Sequence, residues 1–481
     1  MRLMDTLTRE VREIEPVQAG SIGIYVCGVT PYAEAHVGHA MSLIVYDVLV
    51  RYLRWDGNPA GGYTVTFVTN YTDVDDKLID RAAELNRDAL ELATENIERW
   101  EQEQIELGMA PPNERPRVTG EIETITSTIA RIIEAGYAYV TATGDVYYRV
   151  RAKDDYGKLS QRNIEDLRSG TRGEPGEGKE FPLDFSLWKS QKPGEPAWPS
   201  PWSDGRPGWH IECSAMAQRY LGDTFEIHGG GVDLIFPHHE NEIAQAEAAT
   251  GEPFARLWMH NGMVQFENEK MSKSTGNVVT VEDALGRWRP DALRLFVLNS
   301  YYRGPNNLTE DSMQAATRGI ERLEGALEPF DAPAGAEAVD ASETRPRFIE
   351  AMENDLGTPQ ALAALFDLAR AINRGRDEGR DVGPAQAELR ELASVLGLGL
   401  EGGAGAAVEL DAVELSKLAA ELGVVYSGTD AASTVDALIE RRTAARAERD
   451  FALSDRIRDE LAALQVMLED TAEGTRWSVH Q

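Results

Sequence analysis

Cys27 and Cys213 are the only cysteines in the 481 residues, and each stands among other residues able to bind a metal. Cys27 ends the apolar run Ile22-Gly23-Ile24-Tyr25-Val26, and Cys213 closes Gly208-Trp209-His210-Ile211-Glu212-Cys213. A third cluster, Pro237-His238-His239-Glu240-Asn241-Glu242, follows a glycine run. A histidine and a glutamate four residues apart on a helix share one face. Two thiols, an imidazole and a carboxylate match the donor set of a zinc site. Spacing alone leaves both His238 and His239, and both Glu240 and Glu242, in contention. By number alone the two cysteines read as small buried hydrophobes. Residues 1–10 contain no apolar core of signal-peptide length, and no run of about eighteen apolar residues follows. The chain therefore reads as cytoplasmic, where thiols stay reduced and paired cysteines more often bind metal.

Two further strings have the chemistry for phosphate. His36-Val37-Gly38-His39 opens a predicted helix just after a predicted strand. A helix start offers unpaired N–H groups and a positive dipole end, and Gly38 permits close approach. Lys270-Met271-Ser272-Lys273-Ser274 lies in a polar loop, where Lys270 and Lys273 can clamp the β- and γ-phosphates of ATP and Ser272 can add a hydroxyl. Taken singly, the first string is two histidines at a helix start and the second is a solvated charged loop. Lysine is rare in this chain, so two of them here are informative.

The elements that must position these residues follow from periodicity and breakers. Residues 22–27 read as a buried strand, 40–55 as a helix closed by Asp56-Gly57-Asn58-Pro59, and 63–69 as a second strand. Strand, helix, strand is a parallel βαβ unit. A long helix is expected over 75–107, stopped by Pro111-Pro112. Residues 111–208 change character, with a helix near 120–135, short strands near 145–150 and a proline- and tryptophan-rich stretch. They read as an insertion between two halves of one α/β domain. Parallel-sheet character resumes with a strand at 224–228, a helix at 238–250 and a strand at 257–261. After Pro290 the chain reads as all-helical, with helices over 292–298, 313–327 and 347–372 and a last unit over 434–468. The expected domains are 1–110 with 209–290, the insertion 111–208, a helical region 291–400 and a small unit 409–481.

The formal net charge is −33, from 81 acidic and 48 basic residues, most of the latter arginine. Such a surface ordinarily repels nucleic acid. A halophilic origin accounts for it otherwise, since screening lengths fall to about 3 Å at 1 M salt. On that reading local basic patches decide the partners.

The two phosphate strings, in this order, resemble the paired His-Ile-Gly-His and Lys-Met-Ser-Lys-Ser signatures of class I aminoacyl-tRNA synthetases. Tyr25-Val26-Cys27-Gly28, the string from Gly205 through Met216, and His228-Gly229-Gly230-Gly231-Val232-Asp233 running on to Glu242 narrow the resemblance to cysteinyl-tRNA synthetases over nearly the whole chain. The resemblance implies a Rossmann-type parallel α/β sheet with an inserted connective domain, followed by an all-α anticodon-binding region. It implies zinc on Cys27, Cys213, His238 and Glu242, with the substrate thiolate joining the metal. It implies Gly28, Thr72 and Trp209 around the amino acid, and Gly230 and Asp233 at the adenosine. His36, His39, Lys270, Ser272 and Lys273 then meet Mg2+-bound ATP, with L-cysteine and tRNA(Cys) as the other substrates and a monomer as the default state. Thr72 could instead cap the following helix. Met41 and Thr69 stand where many relatives carry arginine, which removes positive charge near the nucleotide. Two rival readings are the cysteine ligase of mycothiol synthesis, which lacks the anticodon-binding helices, and a catalytically silent RNA-binding relative. The halophile expectation is checked by activity and thermal unfolding across a salt series. Full activity and an unchanged melting temperature in dilute buffer would refute it.

Overall fold

The structure, a computed structural model, describes residues 1–164, 178–266, 269–270, 278–400 and, farther on, 415, 417–419, 422, 424, 431–447, 450–464, 466–471 and 474–479. Residues 1–400 form one compact unit and 401–481 a second.

The first unit opens with a hairpin, β1 (Arg2–Asp5) and β2 (Glu10–Glu13), and then enters the central sheet with β3 (Ser21–Val29). Helix α1 (Val37–Arg54) leads to β4 (Thr64–Tyr71), followed by α2 (Asp76–Leu85) and α3 (Ala89–Glu106). Next come α4 (Ile122–Glu134) and an antiparallel sheet of β5 (Ala138–Val140), β6 (Val146–Tyr148), β7 (Phe185–Ser190) and β8 (Gly205–Pro207). The chain returns through α5 (Trp209–Leu221), β9 (Phe225–Gly231), α6 (Glu240–Thr250) and β10 (Ala255–Asn261).

The central sheet has the order β10-β9-β3-β4, and every neighbouring pair is parallel. Ile22, Ile24, Tyr25 and Val26 are all buried, as a strand covered on both faces requires. From β3 the chain moves outward to β4 on one side, while β9 and β10 extend on the other. The gap between β3 and β9 is therefore a topological switch point, where open α/β sheets bind ligands beyond their strand ends.

The helical part is anchored to this sheet. After β11 (Val264–Phe266), β12 (Glu269–Lys270) and α7 (Val281–Leu285), helix α8 (Pro290–Leu298) carries Arg294, which is fully buried. Its guanidinium pairs with Asp47 of α1 at 2.5 Å and donates to the carbonyls of Leu107 at 3.2 Å and Leu396 at 3.1 Å. Beyond lie β13 (Asn306–Leu308), α9 (Glu310–Leu327), α10 (Thr344–Glu353), α11 (Thr358–Asp377) and α12 (Gly383–Val395).

Three expectations need correction. The long helix over 75–107 is two helices. Asn86 turns left-handed at φ 51°, and Asp88 caps α3 by accepting from the backbone of Leu90 and Glu91. The helix over 347–372 is also broken, at 354–357 between α10 and α11. The region after Pro290 is not wholly helical. The second unit has helices α13 (Ala431–Ala447) and α14 (Phe451–Ala463) but ends in an antiparallel hairpin, β14 (Val466–Thr471) and β15 (Gly474–Val479). Among the described residues no helix is long and apolar enough to cross a membrane.

The antiparallel sheet is tied to α2 through Asp76, which pairs with Arg206 of β8 and Lys189 of β7. Burial alone would raise this carboxyl, but the hydrogen bonds and charge of Lys189 and Arg206 outweigh it and bring it down to about 2. A lowered carboxyl stabilises the fold above its unfolded value of about 3.9 and loses that contribution as pH falls through the folded value. Asp76→Asn is expected to lower the melting temperature at pH 7 and to flatten its decline below pH 4. Parallel thermal melts across pH 2–7 check this, and identical curves would refute it.

Candidate metal centre and nucleotide cleft

β3 pairs with β4 in register up to Val26 and again at Val29, with an irregularity between. Cys27 and Gly28 occupy that irregularity, so they leave the ladder at the switch point. A Cβ on Gly28 would lie 1.6 Å from the carbonyl oxygen of Asn70, and only glycine fits. The Gly28 N–H donates to Asn70 Oδ1 at 2.9 Å.

The metal-type residues converge from four elements. Cys27 comes from β3 and Cys213 from α5. His238 lies in a wide turn over Ile235–His239, and Glu242 in the first turn of α6. One ligand atom from each of the four lies within 4.8 Å of the others. Cys27 Sγ is 3.2 Å from Glu242 Oε1, and His238 Nε2 is 3.0 Å from the same oxygen. Both cysteines are free thiols. Glu242 is fully buried, and its Oε2 has no hydrogen-bond partner. Two thiols, an imidazole and an under-satisfied buried carboxylate fit zinc.

The electrostatics agree with a site built for a cation. Burial raises the carboxyl of Glu242, but the charges of His228 and His238 overcome it and hold it well below the usual range. Burial likewise opposes protonation of His238, yet Glu242 and Cys213 outweigh it and push the imidazole up to about 10. Burial, reinforced by Cys213, raises the Cys27 thiol. For Cys213 burial is overcome by hydrogen bonds from Cys27 and His238, which bring it down to about 6. A proton on His238 stands where positive charge is wanted.

A second set, Cys27, His228, His239 and Glu242, shares two members with the first. The sequence reading missed His228, whose Nε2 lies 3.3 Å from Glu242 Oε2. The first set has two thiols and so suits a thiol-seeking metal better. His238 Nδ1 lies 2.9 Å from His210 Nδ1, a contact that orients the ring. His239 pairs with His260 at 2.8 Å, and Glu240 accepts from the backbone of Gly157 and Ser160 at 2.9 and 2.8 Å. Those bonds give His239 and Glu240 structural work.

A cleft of about 380 Å³ opens from the switch point. Cys27, Gly28, His36, His39, Trp209 and Asp233 all line it. Trp209 stacks on His238 with ring centroids 4.4 Å apart. His36 caps α1, with Nδ1 accepting from Gly38 N at 3.1 Å, and His39 Nδ1 accepts from His36 N at 3.2 Å. With both Nδ1 atoms used as acceptors, each ring when neutral carries its proton on Nε2. Asp233 sits in the short turn after β9, beside Gly231. Gly230 lies behind the cleft wall, and its N–H donates to the buried Tyr46 hydroxyl at 2.7 Å.

Other residues fall elsewhere. Thr72 is buried, with its hydroxyl 3.4 Å from Asn70 Nδ2. Thr72 does not cap α2; Asp75 does, accepting from Lys77 N. Met41 is in the core, where Asn306 Nδ2 meets its sulfur at 3.6 Å, so it does not bear on cleft charge as expected; Thr69 does line the cleft. Lys270 is described only as backbone in β12. Ser272 and Lys273 lie outside the described residues. Asn70 and Tyr46 escaped the sequence reading. An asparagine ending a buried strand was the only signal for the first, and Tyr46 reads as ordinary helix core.

Residues 13–318 match the family of tRNA synthetases class I (C) catalytic domains, and residues 347–401 match the DALR domain. The chain is 48% identical over 479 residues to a cysteine–tRNA ligase of Halorhodospira halophila, covering 99% of both. It is 49% identical over 480 residues to that of Alkalilimnicola ehrlichii, again covering 99% of both. The chain belongs to the cysteine–tRNA ligase family. Members of this family are ligases that form aminoacyl-tRNA, and so is this enzyme. A solved Mycobacterium tuberculosis methionyl-tRNA synthetase bound by methionyl-adenylate superposes with a TM-score of 0.58 at 16% identity, covering 78% of this chain and 89% of that one, and shares the class I fold.

Gly28→Ala is expected to destabilise the protein by about 1–3 kcal/mol through overpacking against Asn70. Urea unfolding measures it, and an unchanged midpoint would show that the strand end relaxes freely.

Proposed function

We propose that the chain activates L-cysteine with Mg2+-bound ATP to cysteinyl-adenylate and pyrophosphate, then transfers the cysteinyl group to the terminal adenosine of tRNA(Cys). The observation that carries this reading is the single cleft shared by the thiol cluster and the helix start of His36 and His39. The amino-acid and phosphate chemistries thus meet at one surface.

Cys27, Cys213, His238 and Glu242 would hold the metal. Zinc, when bound there, favours a thiolate over a neutral hydroxyl and so distinguishes cysteine from serine, whereas an apolar pocket gains only about 1–3 kcal/mol from one small group. Trp209 and Gly28 would wall the amino acid. Thr72 would act through Asn70, which holds the Gly28 shelf. The Nε2–H groups of His36 and His39 would donate to the phosphate nearest the adenosine, and Asp233 would accept from the ribose hydroxyls. Lys270 and Lys273, with Ser272, would neutralise the departing pyrophosphate. None of these groups needs to form a covalent bond. Positioning and charge stabilisation are enough to account for large rate effects in such a transfer.

The helical region from 291 and the unit over 409–481 would carry the tRNA contacts, with the protein acting as a cytoplasmic monomer. Catalytic halves 1–110 and 209–290 would flank the insertion 111–208.

Two variants test the division of labour. Lys273→Ala is expected to slow cysteine-dependent ATP–pyrophosphate exchange by at least about a hundredfold, with normal zinc content. His238→Ala is expected to lose zinc that His239→Ala keeps. Normal exchange in the first, or equal zinc loss in the two histidine variants, would overturn the corresponding assignment. X-ray absorption at zinc reads the recognition step: no additional sulfur neighbour on adding cysteine would refute direct thiolate recognition.

A further inference from the structure

The break between α10 and α11 contains a densely bonded carboxylate that the proposed chemistry does not use. Asp355 is 2% exposed. Its Oδ1 accepts from the backbone of Met4 at 2.8 Å and from the hydroxyl of Tyr302 at 2.7 Å. Its Oδ2 accepts from the hydroxyl of Tyr301 at 2.9 Å and from Arg303, at 3.0 Å from Nε and 2.8 Å from Nη2. The Asp355 N–H donates to the carbonyl of Arg2 at 2.9 Å. One carboxylate thus gathers the N-terminal strand, the helical bundle and three consecutive side chains of one turn.

The backbone there is strained. Asp355 and Leu356 are both left-handed, at φ 60° and 50°, and neither is glycine. Such conformations persist only where the surroundings over-determine them. Leu356 is buried at 1% exposure, so the strain is not at a loose surface loop.

The other end of the connection is the nucleotide cleft. The carbonyl of Tyr302 accepts from Gly262 N at 2.7 Å. A Cβ on Gly262 would lie 2.0 Å from the carbonyl oxygen of Gly304, so the two backbones are in direct contact. Asn306 N donates to the carbonyl of Met263 at 3.1 Å, and β11 runs parallel to β13 from Val264 opposite Asn306. Gly262, Met263 and Val264 line the cleft, and from them the chain runs through β11 to Lys270 in β12.

We propose that Asp355 is a positioning residue for the nucleotide cleft. Its carboxylate clamps the turn of Tyr301, Tyr302 and Arg303 against the backbone of Gly262–Val264 and so sets the wall from which the lysine-bearing segment departs. It touches no substrate. The inference rests on the adenylation reading above, because it assigns Asp355 to the ATP side of that reaction.

The hydrogen bonds to this charged acceptor are short and saturating, so losing one donor shifts the turn. Tyr302→Phe removes only the hydroxyl, and Asp355→Asn keeps the shape and part of the acceptor capacity of the side chain. Leu389→Ala, a buried truncation in α12 with no bond to the turn, supplies a control of comparable instability. Each variant is assayed for melting temperature, zinc content and cysteine-dependent ATP–pyrophosphate exchange, with KM for ATP and for cysteine measured separately. Tyr302→Phe is expected to lower the exchange kcat by about tenfold or more and to raise the KM for ATP about fivefold, with the KM for cysteine and the zinc content unchanged. Asp355→Asn is expected to retain more activity than Asp355→Ala, and Leu389→Ala to exchange at the wild-type rate at temperatures where it is folded. Exchange that tracks melting temperature along one line for all variants, or KM values for ATP and cysteine that move together, would overturn the role of Asp355. Absence of cysteine-dependent exchange in the wild-type protein would instead overturn the adenylation reading, and the positioning role with it.

Discussion

A fully buried carboxylate that must stay charged is the constraint around which the catalytic half is arranged. Glu242 sits at zero exposure with one oxygen lacking a hydrogen-bond partner. An isolated buried carboxylate is expensive, and it persists only beside compensating positive charge. His238 lies 3.0 Å from Glu242, and two thiols complete a donor set that would suit a soft divalent cation. The surrounding aromatic and histidine rings, from Trp209 through His210 to His260, fix ring orientations.

That cluster can exist only because the sheet delivers its members to one place. Cys27 leaves β3 at an irregularity, α5 brings Cys213, and the turn after β9 brings His238 just ahead of Glu242. The same switch point carries the start of α1, so the phosphate-type histidines share the cleft. Glycine is required where the backbones crowd: Gly28 against Asn70, and Gly229 against the ring of Tyr46, 2.5 Å from where a Cβ would stand.

The rest of the first unit braces this geometry with buried charge. Arg294 joins α1 to the helical region through Asp47, and Asp355 joins the helical bundle to the cleft wall through Tyr302. Both are single charged groups bonded to several groups distant in the chain. Removing Asp355 would strip the buried Tyr302 hydroxyl of its acceptor, whereas Asp47 without Arg294 would keep Arg51 at 2.9 Å, so such groups specify an arrangement more than they add net stability.

Local pattern determined much of this protein from its sequence. The alternation of strand, helix and strand, the metal-type residue classes and the two phosphate strings are all short-range features, and they were legible because burial periodicity and glycine breakers act within a few residues. Helix interruptions at Asn86 and Asp355 were not legible, since a left-handed residue inside a helical pattern leaves almost no trace in composition. Nor was the terminal hairpin, whose two strands pair with each other after a helical stretch. Only the tertiary structure decided that His238 Nε2 lies 3.0 Å from Glu242 while His239 Nε2 lies 3.8 Å from it and Nδ1 pairs with His260, that Met41 is core, and that Asn70, Tyr46 and His228 belong beside the cleft. Each of those depends on which side chain a neighbouring element leaves room for, and that is a property of packing between segments, not of any one segment.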